Sequence, residues 1–222
     1  MPLVRTVIFD LDGTLADTSG DLIAAANACF EALGQGRVLD PARDQAAAFA
    51  GARAMLRLGF ERLGQDVGQV EQQFPLAVAH YGANIDVYTT LYPGAVAAVE
   101  TLLRDGYRVG ICTNKPAGLA DILLRKLGVR DLFMSLIGAD TLPVRKPDAA
   151  PYVAAVTGAG GAVERSLIIG DTITDFETAK AAGVPSVLVG FGPGRKHVLA
   201  LKPDALLDNY ADLSDIVRRL IG

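Results

Sequence analysis

Two aspartates, Asp10 and Asp12, close the first apolar run of the chain, where Val7 to Leu15 reads Val-Ile-Phe-Asp-Leu-Asp-Gly-Thr-Leu. Residues two apart in an extended segment point the same way, so both carboxylates face one small volume. Gly13 lets the backbone turn away at once, and Thr14 adds a hydroxyl. Close carboxylates repel unless a cation or a proton lies between them. The pattern therefore asks for a metal, a shared proton, or both. A second acidic pair, Asp171 and Asp175, sits in Gly170-Asp171-Thr172-Ile173-Thr174-Asp175, at the end of another apolar run. Asp175 also stands where a carboxylate would cap a helix start. Two further groups accompany these acids. Thr113-Asn114-Lys115 follows a short apolar run, and its hydroxyl and turn amides suit either phosphoryl oxygens or a helix cap. Lys146 lies in the loop Arg145-Lys146-Pro147-Asp148, where Pro147 constrains the backbone beside the amine.

These residues need rigid elements behind them. Val4 to Phe9 reads as a buried strand, as do Arg108–Cys112, Ser135–Gly138, Ser166–Gly170, Ser186–Val189 and Ala205–Leu207. Helical spacing falls between them at 95–104, 117–127, 150–156, 176–182 and 212–221. Strands alternating with helices imply a parallel sheet, an α/β fold of Rossmann-like type. In such sheets ligands sit outside the carboxyl ends of the strands, where Asp10, Asp12, Thr113 and Asp171 fall. The segment 16–90 differs. It is rich in Ala, Gln, Arg and Leu, its apolar spacing is helical, and no strand is expected in it. Helices are expected from Asp17 on, from Pro41, at 54–63 and at 70–81. The expected division is a discontinuous α/β core, 1–15 with 91–222, and an inserted all-helical cap, 16–90. A helical lid inserted directly after two aspartates is placed to open and close over a substrate.

Composition narrows the partners. The 222 residues carry 21 basic and 25 acidic side chains, net charge −4, with no basic run to hold nucleic acid. No apolar run is long enough to span a membrane. The chain enters its first strand at once, so no signal peptide is expected. Cys29 and Cys112 are far apart and form no CxxC, which fits free thiols in a reducing, cytoplasmic setting. Two histidines are too few for a histidine metal cage. Gly158-Ala159-Gly160-Gly161 follows a helix and precedes a strand, the wrong context for a dinucleotide site.

Taken together, Asp10-x-Asp12-x-Thr14, Thr113, Lys146 and Asp171 with Asp175 resemble the four motifs of the haloacid dehalogenase-like phosphatases, in order and at strand ends. Within them, Tyr92-Pro93-Gly94, Thr113-Asn114-Lys115-Pro116 and Gly51-Ala52-Arg53 resemble the phosphoglycolate phosphatases of the helical-cap branch. The resemblance implies that Asp10 is the nucleophile and Asp12 the general acid and base. It implies Mg²⁺ held by Asp10, the Asp12 carbonyl and Asp171, and a phosphoryl cage of Thr113, Asn114 and Lys146. Asp175 and Thr14 would support that shell, with Asp175 orienting Lys146 or a metal-bound water. Gly51 and Arg53 would reach the substrate, Arg53 holding a carboxylate. The implied substrate is a small phosphorylated metabolite, 2-phosphoglycolate the best match, and the chain would act as a monomer or homodimer. Three departures leave the substrate open: Lys-Pro-Asp-Ala-Ala-Pro after Arg145, Thr172 and Thr174 in the fourth motif, and the loop Gly190–Gly194. A pyrophosphatase, a sugar-phosphate phosphatase, a phosphosugar mutase and an inactive binding module are the alternatives. A dehalogenase is disfavoured, since that branch needs neither the second aspartate nor a metal.

Overall fold

A computed structural model describes residues 4–222. Contacts divide the chain into two compact units, Met1–Ala16 with Leu91–Gly222, and Asp17–Thr90. The strands are β1 (Thr6–Phe9), β2 (Ala16–Asp17), β3 (Thr90–Leu91), β4 (Arg108–Cys112), β5 (Ser135–Ile137), β6 (Ser166–Gly170), β7 (Ser186–Val189) and β8 (Ala205–Leu207). Six of them form one parallel sheet in the order β5-β4-β1-β6-β7-β8. β1, β6 and β7 are buried along their whole length, as expected when helices cover both faces of a parallel sheet. β1 is central, with Phe9 level with Ile111 on one side and Ile169 on the other. The chain segments that follow β1, β4 and β6 therefore leave the sheet side by side. β1 is also where the strand order reverses, the place for a ligand in an open α/β sheet.

The second unit is helical: α1 (Ser19–Ala32), α2 (Gln45–Phe49), α3 (Ala52–Arg62) and α4 (Val70–Ala83). Ile23, Phe30, Met55, Leu56, Phe60 and Val70 form its buried centre, with Phe30 edge-on to Phe60 at 5.2 Å between centroids. The buried Asp21 carboxylate accepts hydrogen bonds from the backbone N–H groups of Tyr88 and Thr89 and from the Thr89 hydroxyl, which fastens the end of the unit to its first helix. The helix expected from Pro41 begins only at Gln45, because the Asp44 carboxylate is taken by Asp40 N–H and by Arg62, holding 40–44 in a turn. The strand-free reading of 16–90 also needs correcting. β2 and β3 pair with each other where the chain passes between units.

Six helices follow: α5 (Ala95–Arg104), α6 (Ala117–Lys126), α7 (Ala149–Gly158), α8 (Ile173–Ala182), α9 (Arg195–Leu201) and α10 (Leu213–Ile221). Most lie within a few residues of the sequence reading. The short α9 was not expected; it follows a Gly- and Pro-rich stretch that reads as loop. β1 begins at Thr6 rather than Val4, because the parallel ladders start with Thr6 opposite Arg108 and Ser166. Among the described residues, no helix is long and apolar enough to cross a membrane.

Candidate active site

Asp10 is the first residue beyond β1. Its N–H donates to Ile169 O at 2.8 Å, extending the β1–β6 ladder by one rung and fixing where the carboxylate starts. Leu11 N–H donates to its Oδ1 at 2.7 Å, and Lys146 Nζ lies 3.2 Å from the same oxygen. Lys146 Nζ also donates to Asp175 Oδ1 at 2.6 Å, with the lysine side chain only 1% exposed. The other oxygen of Asp175 accepts from the backbone N–H of Asp171 and Thr172 and from the Thr172 hydroxyl, so this carboxylate caps α8 while it holds the lysine. Asp171, the residue after β6, has Oδ1 3.3 Å from the Thr14 hydroxyl. Carboxylate oxygens of Asp10, Asp171 and Asp175 all lie within 4.8 Å of one another.

Two glycines make this crowding possible. A Cβ on Gly13, whose φ is +78°, would sit 2.2 Å from Asp171 Oδ2, and a Cβ on Gly170 would sit 2.1 Å from Asp175 Cγ. Both contacts are far shorter than any van der Waals approach, so the acids close in only because these side chains are absent.

The electrostatics follow from burial. Desolvation pushes the Asp10 carboxyl up to about 6, against the pull of Lys146 and with the help of Asp175 and Asp12. Asp171 is raised well above the usual carboxylate range, first by burial, then by Asp175 and Asp10. Burial would push the Lys146 ammonium down, but Asp10 and Asp175 outweigh it and hold it above its ordinary value. One ammonium thus lies between the buried Asp10 and Asp175, with the partly buried Asp171 beside them. Both oxygens of Asp175 are engaged, which leaves Asp10 and Asp171 to receive a cation. An oxygen-only donor set with excess negative charge fits a hard divalent ion.

The remaining candidates fall around this centre in different ways. Asp12 is paired with Lys115. Its Oδ1 and Oδ2 lie 2.7 and 3.0 Å from Lys115 Nζ. Thr113 is buried, and its Oγ1 accepts from Lys115 N–H. Asn114 Nδ2 donates to Lys146 O at 3.1 Å, tying the segment after β4 to the lysine loop. Burial pushes the Cys112 thiol up to about 12, so it is no nucleophile at neutral pH. Gly51 and Arg53 belong to the helical unit. Gly51 precedes α3 with φ +94°. Arg53 donates to both carboxylate oxygens of Glu71, at 2.8 and 3.0 Å, and its guanidinium lies 3.6 Å from the centre of the Phe74 ring.

Sequence reasoning assigned no role to two further residues. Lys115 was read only as part of a loop, and nothing local signals its partner 103 positions away. Tyr210, buried just beyond β8, donates its hydroxyl to Thr14 O at 2.7 Å and so braces the turn after Asp12. Phe191 packs against both Tyr210 and Tyr92, at 5.7 and 4.7 Å between centroids.

A family model described as haloacid dehalogenase-like hydrolase matches residues 7–189. The chain is 39% identical to a phosphoglycolate phosphatase of Rhodospirillum rubrum over 95% of this chain and 90% of that protein. It is 35% identical to a phosphoglycolate phosphatase of Agrobacterium fabrum over 96% of this chain and 92% of that protein. Among solved structures, a predicted phosphoglycolate phosphatase from Haemophilus somnus superposes with a TM-score of 0.85 at 25% identity, covering 97% of this chain and 99% of the other.

Proposed function

The chain belongs to the haloacid dehalogenase-like hydrolases and is a phosphatase, and from that premise we propose that it is a Mg²⁺-dependent phosphomonoester hydrolase acting on 2-phosphoglycolate through an aspartyl-phosphate. The observation that carries this reading is the Asp10–Lys146–Asp175 chain beside Asp171, assembled at the ends of adjacent strands. Phosphoryl transfer is mostly positioning and charge stabilisation, and this cluster supplies both. The relatives named phosphoglycolate phosphatase, matched over nearly their whole length, support the substrate.

In this reading Asp10 attacks phosphorus while the bond from phosphorus to the leaving oxygen breaks. Leu11 N–H and Lys146 fix the plane of the attacking carboxylate, which saves the orientational entropy of the step. Asp12 protonates the leaving oxygen, then takes a proton from the water that hydrolyses the aspartyl-phosphate. Lys146, Thr113 and Asn114 surround the phosphoryl oxygens, Lys146 as a fixed positive charge. Asp175 holds Lys146 in place, and Thr14 holds Asp171. Asp10, the Asp12 carbonyl and Asp171 would hold Mg²⁺, which offsets repulsion between the carboxylates and the phosphate dianion. Gly51 and Arg53 would contact the leaving group from the helical unit, with Arg53 exchanging Glu71 for a substrate carboxylate. Both members of that ion pair are half-exposed or more, and such pairs are worth only about 0–1 kcal/mol, so the exchange costs little.

The test is acid quench of the enzyme turning over ³²P-labelled phosphoglycolate with Mg²⁺. Label should be trapped on Asp10, and Asp10→Asn should lose both the label and several orders of magnitude in rate. Near-normal turnover by Asp10→Asn would remove the mechanism.

A further inference from the structure

We propose that the Tyr210 hydroxyl sets the cation selectivity of the acidic cluster, favouring an ion of the size of Mg²⁺ over the larger Ca²⁺. The proposal rests on the reading of Asp10 and Asp171 as cation ligands and adds what fixes the gap between them.

Tyr210 comes from well outside the cluster. It follows β8, the edge strand, and β6 and β7 lie between that strand and β1. The residue is buried, and its ring packs against Phe191 at 5.7 Å between centroids. Gly94 approaches so closely that a Cβ there would sit 3.3 Å from Tyr210 Cβ. So enclosed, the ring carries its hydroxyl to one place, 2.7 Å from Thr14 O. A buried phenol needs an acceptor. The one it takes lies 196 positions away, in the turn that backs the acidic cluster.

That turn meets Asp171 at two points. The Thr14 hydroxyl lies 3.3 Å from Asp171 Oδ1, and Gly13 lies so close to Oδ2 that a Cβ there would fall 2.2 Å from it. Asp171 therefore rests both its oxygens on residues 13 and 14. Asp10 is fixed separately, its Oδ1 held by Leu11 N–H and by Lys146. The gap between the two carboxylates then follows the position of the turn, and Tyr210 ties the turn to the far edge of the sheet. The gap in its turn selects the ion. Mg²⁺ demands near-octahedral oxygens at about 2.0–2.1 Å, whereas Ca²⁺ accepts more of them, less regularly placed, at about 2.3–2.6 Å. A turn held in place favours the small ion. A turn free to shift by a few tenths of an ångström gives up that advantage, while the more tolerant ion still fits. Tyr210 is thus a positioning residue, acting through Thr14 and Gly13.

The experiment loads the full chain with Mn²⁺, follows the free ion by its paramagnetic resonance, and displaces the bound ion with Mg²⁺ or with Ca²⁺. Wild type is compared with Tyr210→Phe and Tyr152→Phe. In Tyr210→Phe the Mg²⁺ dissociation constant should rise by about 10- to 100-fold, the range for groups that orient metal ligands, and that of Ca²⁺ by clearly less. Tyr152→Phe is the matched loss of a buried phenol. Its hydroxyl pairs with Ser166 at 2.6 Å, at the opposite end of β6 from Asp171, so the preference between the ions should stay as in wild type. Thr14→Val, which cuts the link to Asp171, should shift the preference the same way as Tyr210→Phe, and combining the two should add little. If Tyr210→Phe does not fold, Phe191→Leu, which loosens the ring and keeps the hydroxyl, carries the same comparison. Equal weakening of both ions, an unchanged preference, or the same shift in Tyr152→Phe would overturn the role of Tyr210 while leaving the metal reading standing. Failure of wild type to bind any of the three ions would overturn that reading and this role with it.

Discussion

Replacing Lys146 by Met tests whether the acidic cluster is held together by one buried cation. The lysine side chain is 1% exposed, 2.6 Å from Asp175 and 3.2 Å from Asp10. Removing one partner of a buried, hydrogen-bonded ion pair costs about 3–5 kcal/mol, because the other charge stays desolvated. For a chain of this size that corresponds to a melting temperature lower by roughly 6–20 °C. The loss should depend on pH in a definite direction. Asp10, at about 6, and Asp171 have folded-state carboxyls raised above the unfolded value. The folded chain therefore binds more protons than the unfolded chain from about pH 4 upward, and metal-free stability falls as pH rises through 6 and beyond. Lys146, raised above its ordinary value by Asp10 and Asp175, contributes a constant stabilisation through neutral pH, which is lost only in the alkaline range. In Lys146→Met a proton can stand in for the missing cation at pH 5 but not at pH 8. Urea unfolding with chelator present should show a deficit near the full value at pH 8 and clearly smaller at pH 5. A deficit under about 1 kcal/mol, or one equal at the two pH values, would refute the argument that burial and charge balance hold this site.

Mg²⁺ binding to the metal-free protein should expel protons, because the Asp10 carboxyl, raised to about 6, must be ionised to act as a ligand. Affinity should weaken as pH falls through 6, and calorimetry at pH 6 in two buffers of different ionisation enthalpy should report the released protons; identical heats would contradict it. Arg53→Ala should lower the specificity constant for phosphoglycolate by about 1.5–3 kcal/mol more than that for p-nitrophenyl phosphate. Glu71→Gln, which frees the guanidinium held at 2.8 and 3.0 Å, should shift that preference the other way; parallel changes on both substrates would take Arg53 out of the site.

Much of the architecture was legible because burial writes itself into local composition. Runs such as Ser166–Gly170 and Ser186–Val189 are apolar after an opening serine, with no alternation of polar residues, and only a strand covered on both faces asks for that. Their ends are equally plain, since an apolar run that stops in Asp10 or Asp171 has left the core. The family motifs lie at those ends for the same reason. The two-residue strands β2 and β3 and the helix α9 were invisible, because two residues pairing with a segment far along the chain, and a helix after Gly-Pro-Gly, leave no periodicity to read. The site depends on more than strand ends. Strand order is not sequence order, so nothing local says that the segments after β1, β4 and β6 emerge together. Partners were decided only in three dimensions. Lys146 meets Asp175 across 29 positions, Lys115 meets Asp12 across 103 and Tyr210 reaches Thr14 across 196. A lysine in a loop reads the same in sequence whether water or a carboxylate surrounds it, because its charge is compatible with both. The packing of the parallel sheet, with Gly13 and Gly170 yielding room, determines which lysine is enclosed with which acid.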